Sequence, residues 1–297
     1  MAHTFRVAWP SVILAGCLLV SVSALPAQEE PQASRPAGGS EEPSAADTAT
    51  KPARAKSTGR PRRVPADPHA PWGQGVQDGS FMGRHLAEVM SWLGADWLVR
   101  PEREIEEEPE RMLDALELKP GMVIADVGAG VGFTSVRLAR RVGPTGKVIS
   151  TDVQPEMIRL LKQNLADLGV KNVSPLLCTP VDTGLPEAEV DLAIMVDVYH
   201  ECSHPVETLQ GIRKALKPGG RLVLVEFRAE DPDVPIRPEH KMTVAQVRRE
   251  LEPQGFVLQK KHDFLPWQHV LVFEKSVDPL KKDKQGVKPK ATEIREP

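Results

Sequence analysis

Residues 200–204 read HECSH, which fits the pattern H-E-x-x-H. On a helix that spacing sets two histidines one turn apart, able to hold zinc while the glutamate acts as a base. The pattern needs both histidines on one continuous helix and a third ligand downstream. The flanking residues argue against this. The apolar run DLAIMV ends only a few residues before His200, and Pro205 directly follows His204. Proline suits the first turn of a helix and not its interior. His200 and His204 are therefore expected on a loop that enters a helix. A zinc hydrolase is kept as a remote alternative, and no metal is assigned.

A second constellation, DVGAGVGF at 126–133, follows the apolar run MVIADV. Its spacing is G-x-G-x-G, with Phe133 where a dinucleotide fingerprint wants glycine or alanine. Asp126 stands at the strand end just before the glycines. It would repel a pyrophosphate and welcome a cationic cofactor that carries an amino acid. Asp152 ends the next apolar run, 20 residues after Gly132. A carboxylate there accepts two hydrogen bonds from vicinal ribose hydroxyls. A nucleoside without phosphate that bears an amino acid suits both acids, and S-adenosylmethionine (SAM) is such a molecule.

These residues need a frame. Apolar runs alternate with amphipathic stretches, giving strands at 122–127, 147–152, about 172–178, 190–196 and 221–227. Helices are expected over 133–142, 155–168 and 205–216. In the second of these, Met157, Ile158, Leu161, Leu165 and Leu168 share a face and Gly169 is the stop. Thr243 and Gln246 make a capping box for a helix to about 253. FVL and HVLVF are late strands spaced to pair as a hairpin. Five strand–helix alternations predict an α/β fold with a doubly wound, mostly parallel sheet. Its ligand crevice lies outside the carboxyl ends of the strands.

The phrases VIADVGAGVGF, VISTDVQPEMI, LPEAEVDLAIMVDVYHE and ALKPGGRLVLVEF resemble, in order and spacing, the motifs of class I SAM-dependent methyltransferases. Within that class the chain is similar to the ubiquinone/menaquinone methyltransferases, over roughly 105–275. The resemblance implies a Rossmann-like methyltransferase fold of seven strands, the last antiparallel. It also implies methyl transfer from SAM to a small-molecule acceptor by in-line displacement. By position, Gly128, Ala129, Gly130 and Gly132 would lie against the methionine part of the donor, with Asp126 near it. Asp152 would hold the ribose, and Val153 would pack on the adenine. Thr179 stands where the family often has an acid facing the adenine amino group, with Asp182 as the alternative.

The carboxyl end of the fourth strand borders the donor in this fold, which makes Asp197, Tyr199 and His200 the catalytic candidates. Asp197 is also a donor contact. His200 has the intrinsic pKa of a base, and Tyr199, the only tyrosine of the chain, would orient or stack on an acceptor. Glu201 is read as structural or solvated, and Asp197 with Glu226 as a remote divalent-ion pair. His240 and His269 either face the acceptor or serve the fold. The family's strand order keeps Cys178 and Cys202 apart, as thiols. A SAM-binding protein without turnover is the alternative function.

Bulk properties bound the rest. The chain has 297 residues, a formal charge of −3 and 3 cysteines. No nucleic-acid partner is expected from that charge, and no disulfide scaffold from so few cysteines. Residues 1–27 are expected to be a signal peptide or N-terminal anchor: Arg6 precedes a long apolar run, and Val22-Ser23-Ala24 offers a cleavage site. Leu14-Ala15-Gly16-Cys17 also resembles a lipobox. This predicts an exported or membrane-anchored protein, with membrane association through the N-terminus. Residues 28–71 are a Pro/Ala/Ser-rich linker expected to be disordered, and the Lys-rich tail at 276–297 earns the same reading. The folded domain is expected over 72–275 with a helical cap at 72–118. Its part at 72–104 should pack as helices over the crevice.

Overall fold

The structure, a computed structural model, describes residues 72–276; the expected leader, the linker and the tail from 277 lie outside them. Among the described residues no helix is long and apolar enough to cross a membrane.

The first segment differs from the expected helices. It is a meander of three two-residue antiparallel strands, β1 (Val76–Gln77), β2 (Ser80–Phe81) and β3 (Arg84–His85). Asp78-Gly79 and Met82-Gly83 connect them, all four with positive φ. That is the two-residue hairpin turn whose strongest sequence signal is Asp-Gly, so the signal stood in the sequence. A 3-10 stretch (Trp92–Val99) and two short helices, α1 (Arg103–Glu106) and α2 (Pro109–Asp114), complete the cap.

The alternation beyond it gives β4 (Val123–Val127), α3 (Phe133–Val142), β5 (Lys147–Asp152), α4 (Pro155–Asp167), β6 (Val173–Leu177) and β7 (Val190–Val196). After these come α5 (Pro205–Ala215), β8 (Leu216–Arg228), the two-residue β9 (Lys241–Met242), α6 (Val244–Leu251), β10 (Phe256–His262) and β11 (Gln268–Lys275). The main sheet has the order β10-β11-β8-β7-β4-β5-β6, with β9 beside the end of β8. Only β11 runs against its neighbours, pairing antiparallel with β10 and β8. The seven expected strands are therefore present with the last one antiparallel, and β9 is an addition. The strand expected at 221–227 is longer, because KPGG continues into it from Leu216.

Alternate residues of each strand feed opposite faces, as the two-residue period of a strand requires. Ile124, Ile194, Val223 and Val225 join α3 and α4 in one core. Ala125, Ala193, Met195, Leu222 and Leu224 join α5 and α6 in the other. Both faces are covered, which is why the strands read as continuous apolar runs. Thr243 caps α6 by accepting from the Gln246 amide at 3.0 Å. Gln246 does not close the capping box: its side chain donates to the Met82 carbonyl and to Glu250.

Candidate functional site

Every parallel strand from β4 to β8 ends on one cavity of about 410 Å³, within the range of ligand sites. Gly128, Val153, Thr179, Asp197 and Phe227 line it from the ends of β4, β5, β6, β7 and β8. The cap closes it with Val89, Met90, Trp97, Leu98 and Arg103. The cap is tied down beside the end of β5 by Gln154, which accepts from the Trp92 amide at 2.9 Å and donates to the Met90 carbonyl at 3.0 Å.

At the end of the cavity formed by β4 and β5, the two acids stand beside the glycine loop. The Gly130 amide donates to Asp152 Oδ2 at 2.9 Å, and the Gln154 amide donates to Oδ1 at 2.9 Å. Each oxygen keeps a further lone pair for a ligand hydroxyl. Burial pushes the Asp152 carboxyl up, against these amides, which hold it down. Asp126 Oδ2 accepts from Ser135 Oγ at 2.6 Å. Burial raises its carboxyl to about 6; nearby Asp152 adds to this, while the Ser135 bond and the Arg103 charge oppose it. Gly128 must be glycine, since its φ is +75° and an added Cβ would lie 2.4 Å from Val198 Cγ1. Ala129, Gly130 and Val153 line the cavity; Gly132, by contrast, packs on Leu161 at the start of α3.

Thr179 lines the cavity with Cys178, Pro180 and Thr183. Asp182 is exposed and accepts from the Gly184 amide at 2.9 Å, so its carboxylate serves a turn and does not substitute for Thr179.

At the other end the structure separates the three catalytic candidates. Asp197 lines the cavity in a left-handed conformation, φ 54°, that a non-glycine residue rarely adopts. Its Oδ2 accepts from Gln268 at 3.2 Å, and its buried Oδ1 has no partner. Burial, with Glu107 and Glu226 adding to it, holds this carboxyl well above the usual range. His200 also lines the cavity. Its Nδ1 is 2.6 Å from Glu226 Oε2, and its Nε2 is 3.0 Å from His240 Nδ1. Tyr199 does not join them. In the 3-10 turn Tyr199–Glu201 successive side chains point about 120° apart. Tyr199 therefore turns into the core beside Leu209, with the Arg84 guanidinium 5.7 Å above its ring.

Glu226 is fully buried and committed to the Tyr199 amide and His200, which withdraws it from the ion pair considered with Asp197. His269 is buried, and burial lowers its pKa; it is not among the cavity residues. His240 lines the cavity, and so does Glu201, which is no solvated residue: burial raises its carboxyl to about 7. Arg103 escaped sequence reasoning. It pairs with Glu107 at 2.7 Å, stacks on Phe133 at 4.2 Å and brings a positive charge to the Asp126 end. Its only sequence signal is the i,i+4 spacing of Arg103 and Glu107.

His204 is the helix-entry residue expected, standing at the N-terminus of α5 with Nδ1 2.9 Å from Ser203 Oγ. HECSH is thus not a helical zinc motif. Cys178 and Cys202 are both free thiols.

Comparison with known proteins agrees with this geometry. Residues 118–270, just over half of the chain, match the family model described as a methyltransferase domain. The chain is 33% identical over 110 residues to the ubiquinone/menaquinone biosynthesis C-methyltransferase UbiE of Burkholderia orbicola, covering 37% of this chain and 45% of that protein. The corresponding protein of Burkholderia mallei matches at 33% over the same shares. The match thus spans less than half of these curated relatives. The fold superposes on the crystal structure of a SAM-dependent methyltransferase from Aquifex aeolicus with a TM-score of 0.60 and 29% identity, covering 63% of this chain and 100% of that one. The chain belongs to this methyltransferase family, and its strand order is that of the class I SAM-dependent methyltransferase fold.

Proposed function

We propose that the protein transfers the methyl group of SAM to a small-molecule acceptor held in the same cavity. The observation that carries this reading is the joined donor cradle of Asp126, the glycine loop and Asp152, which opens onto the chamber lined by Asp197, His200 and His240. The residues suit the donor. Asp126 offers a carboxylate to an ammonium, Arg103 a guanidinium to a carboxylate, and Asp152 two oxygens to a ribose. When bound, SAM supplies a methyl group on a sulfonium, a leaving group that departs without protonation.

The chain's own work is then to bind, orient and exclude water, which carries much of the rate in such a displacement. Val89, Met90, Trp97, Leu98 and Ile236 give the chamber an apolar wall, so the acceptor is read as a molecule with an apolar body. Asp197, with one carboxylate oxygen unpartnered, is positioned to receive a polar group of that acceptor or of the donor.

The test is transfer of a labelled methyl group in soluble and envelope extracts. Wild type should label a small molecule and Gly130→Arg should not. Donor binding by wild type without any transfer in either extract would overturn the reading in favour of a binding protein.

A further inference from the structure

We infer that His200, Glu201 and His240 form a binding site for one divalent cation of the zinc class, open on its fourth side to the cavity. Among the described residues these are the His, Cys, Asp or Glu side chains whose ligand atoms converge, all within 4.8 Å of one another. His200 Nε2 and His240 Nδ1 are 3.0 Å apart, and Glu201 Oε1 is 3.9 Å from each. The point in their plane equidistant from the three atoms lies about 2.1 Å from each; tetrahedral ligands at that bond length stand about 3.4 Å apart, so on binding the histidines part and Glu201 draws in by about 0.5 Å. The two imidazole planes stand at 86°, so the rings approach one point without stacking.

The surroundings prepare His200 as a ligand. Glu226 is fully buried and accepts only, so His200 Nδ1 carries the proton of that 2.6 Å bond. The lone pair is left on Nε2, facing His240 and Glu201. A carboxylate behind a ligating histidine fixes the ring and raises its basicity, the usual support of such sites. The carbonyl of His200 is anchored as well, by the Arg84 guanidinium at 2.9 Å and the Ala87 amide at 3.1 Å. Without the ion the 3.0 Å contact is then a hydrogen bond that His240 Nδ1 donates to His200 Nε2, and the cation replaces that proton as His240 takes the tautomer protonated on Nε2.

Three protein ligands with an open fourth position is the arrangement of catalytic rather than structural zinc. The open side faces the chamber assigned above to the acceptor, so the inferred role is to hold an oxygen of a hydroxyl-bearing acceptor. That role rests on the methyl-transfer reading; the cation site itself does not.

The experiment uses the untagged full chain after removal of metal by a chelator. Zinc titrated by calorimetry, with elemental analysis after dialysis, should give one bound equivalent. His240→Ala and Glu201→Gln should each weaken binding at least about tenfold, while His269→Ala and the double variant Cys178→Ser/Cys202→Ser should bind as wild type. Cobalt(II) in the same site should show tetrahedral absorption without thiolate charge transfer. An unchanged far-ultraviolet circular dichroism spectrum and melting temperature of His240→Ala show that the fold survives. Substoichiometric zinc in wild type, undiminished zinc in His240→Ala, or loss of zinc in the cysteine variant overturns the site. Zinc bound with no SAM bound would instead overturn the methyltransferase reading and leave the cation site standing.

Discussion

The amide of Gly130 donates to Asp152 Oδ2 at 2.9 Å, across 22 positions of sequence. The loop after the first main-sheet strand is thereby set by the acid that ends the second. Asp152→Asn keeps the size of the side chain but loses the charge that both amides and a ribose would use. We expect donor affinity to fall about tenfold to hundredfold, since bonds to a charged group are worth about 1.5–3 kcal/mol. Calorimetric titration of SAM checks it.

Asp126 links donor binding to pH. Burial raises its carboxyl from 3.8 to about 6 in the protein alone. The sign follows from linkage: the stability this group contributes is fully present below 3.8 and is lost as pH rises through about 6. A bound ammonium needs the ionised form, so donor affinity should weaken as pH falls below about 6. The groups facing it are Ser135, Asp152 and Arg103. Asp126→Asn keeps an oxygen for Ser135 and carries no charge. It should stabilise the ligand-free protein at pH 8 by about 3 kcal/mol at most, and its weaker donor binding should lose most of this pH dependence. Thermal melts and titrations at pH 5 to 8 measure both.

Arg84 and Glu250 latch the meander onto α6 through two bonds of 2.9 Å, with both side chains buried. Removing one partner leaves the other charge buried alone. Glu250→Gln should cost about 3–5 kcal/mol in urea unfolding, and Arg84→Met/Glu250→Leu should recover most of that loss.

At Gly128 two penalties coincide. Gly128→Ala meets a left-handed backbone and Val198, so about 2–5 kcal/mol of stability should be lost. Gly169→Ala has a similar φ, +66°, at the left-handed end of α4, but open space around its Cβ, and should cost only about 1–2 kcal/mol. Equal losses would show that Val198 moves aside.

These particulars mark what the sequence made legible. Asp126 and Asp152 were readable because each ends an apolar run, and strand ends point to the crevice. Pro205 foretold that His200 and His204 would part. Tyr199 was misplaced because a left-handed Asp197 followed by a 3-10 turn rotates it inward, and no residue pattern announces that rotation. His240 could not be paired with His200, because 40 positions intervene and β8 with its loop brings them together. The Asp78-Gly79 hairpin was signalled, but two-residue strands are too short to show alternation.

Methyl transfer by this protein needs one cradle for one donor, and equilibrium titration of SAM into the full chain tests that most directly. One saturable site in wild type, lost in Asp152→Ala with the fold intact by circular dichroism, is the predicted result. No binding by wild type, or equal binding by Asp152→Ala, would contradict it.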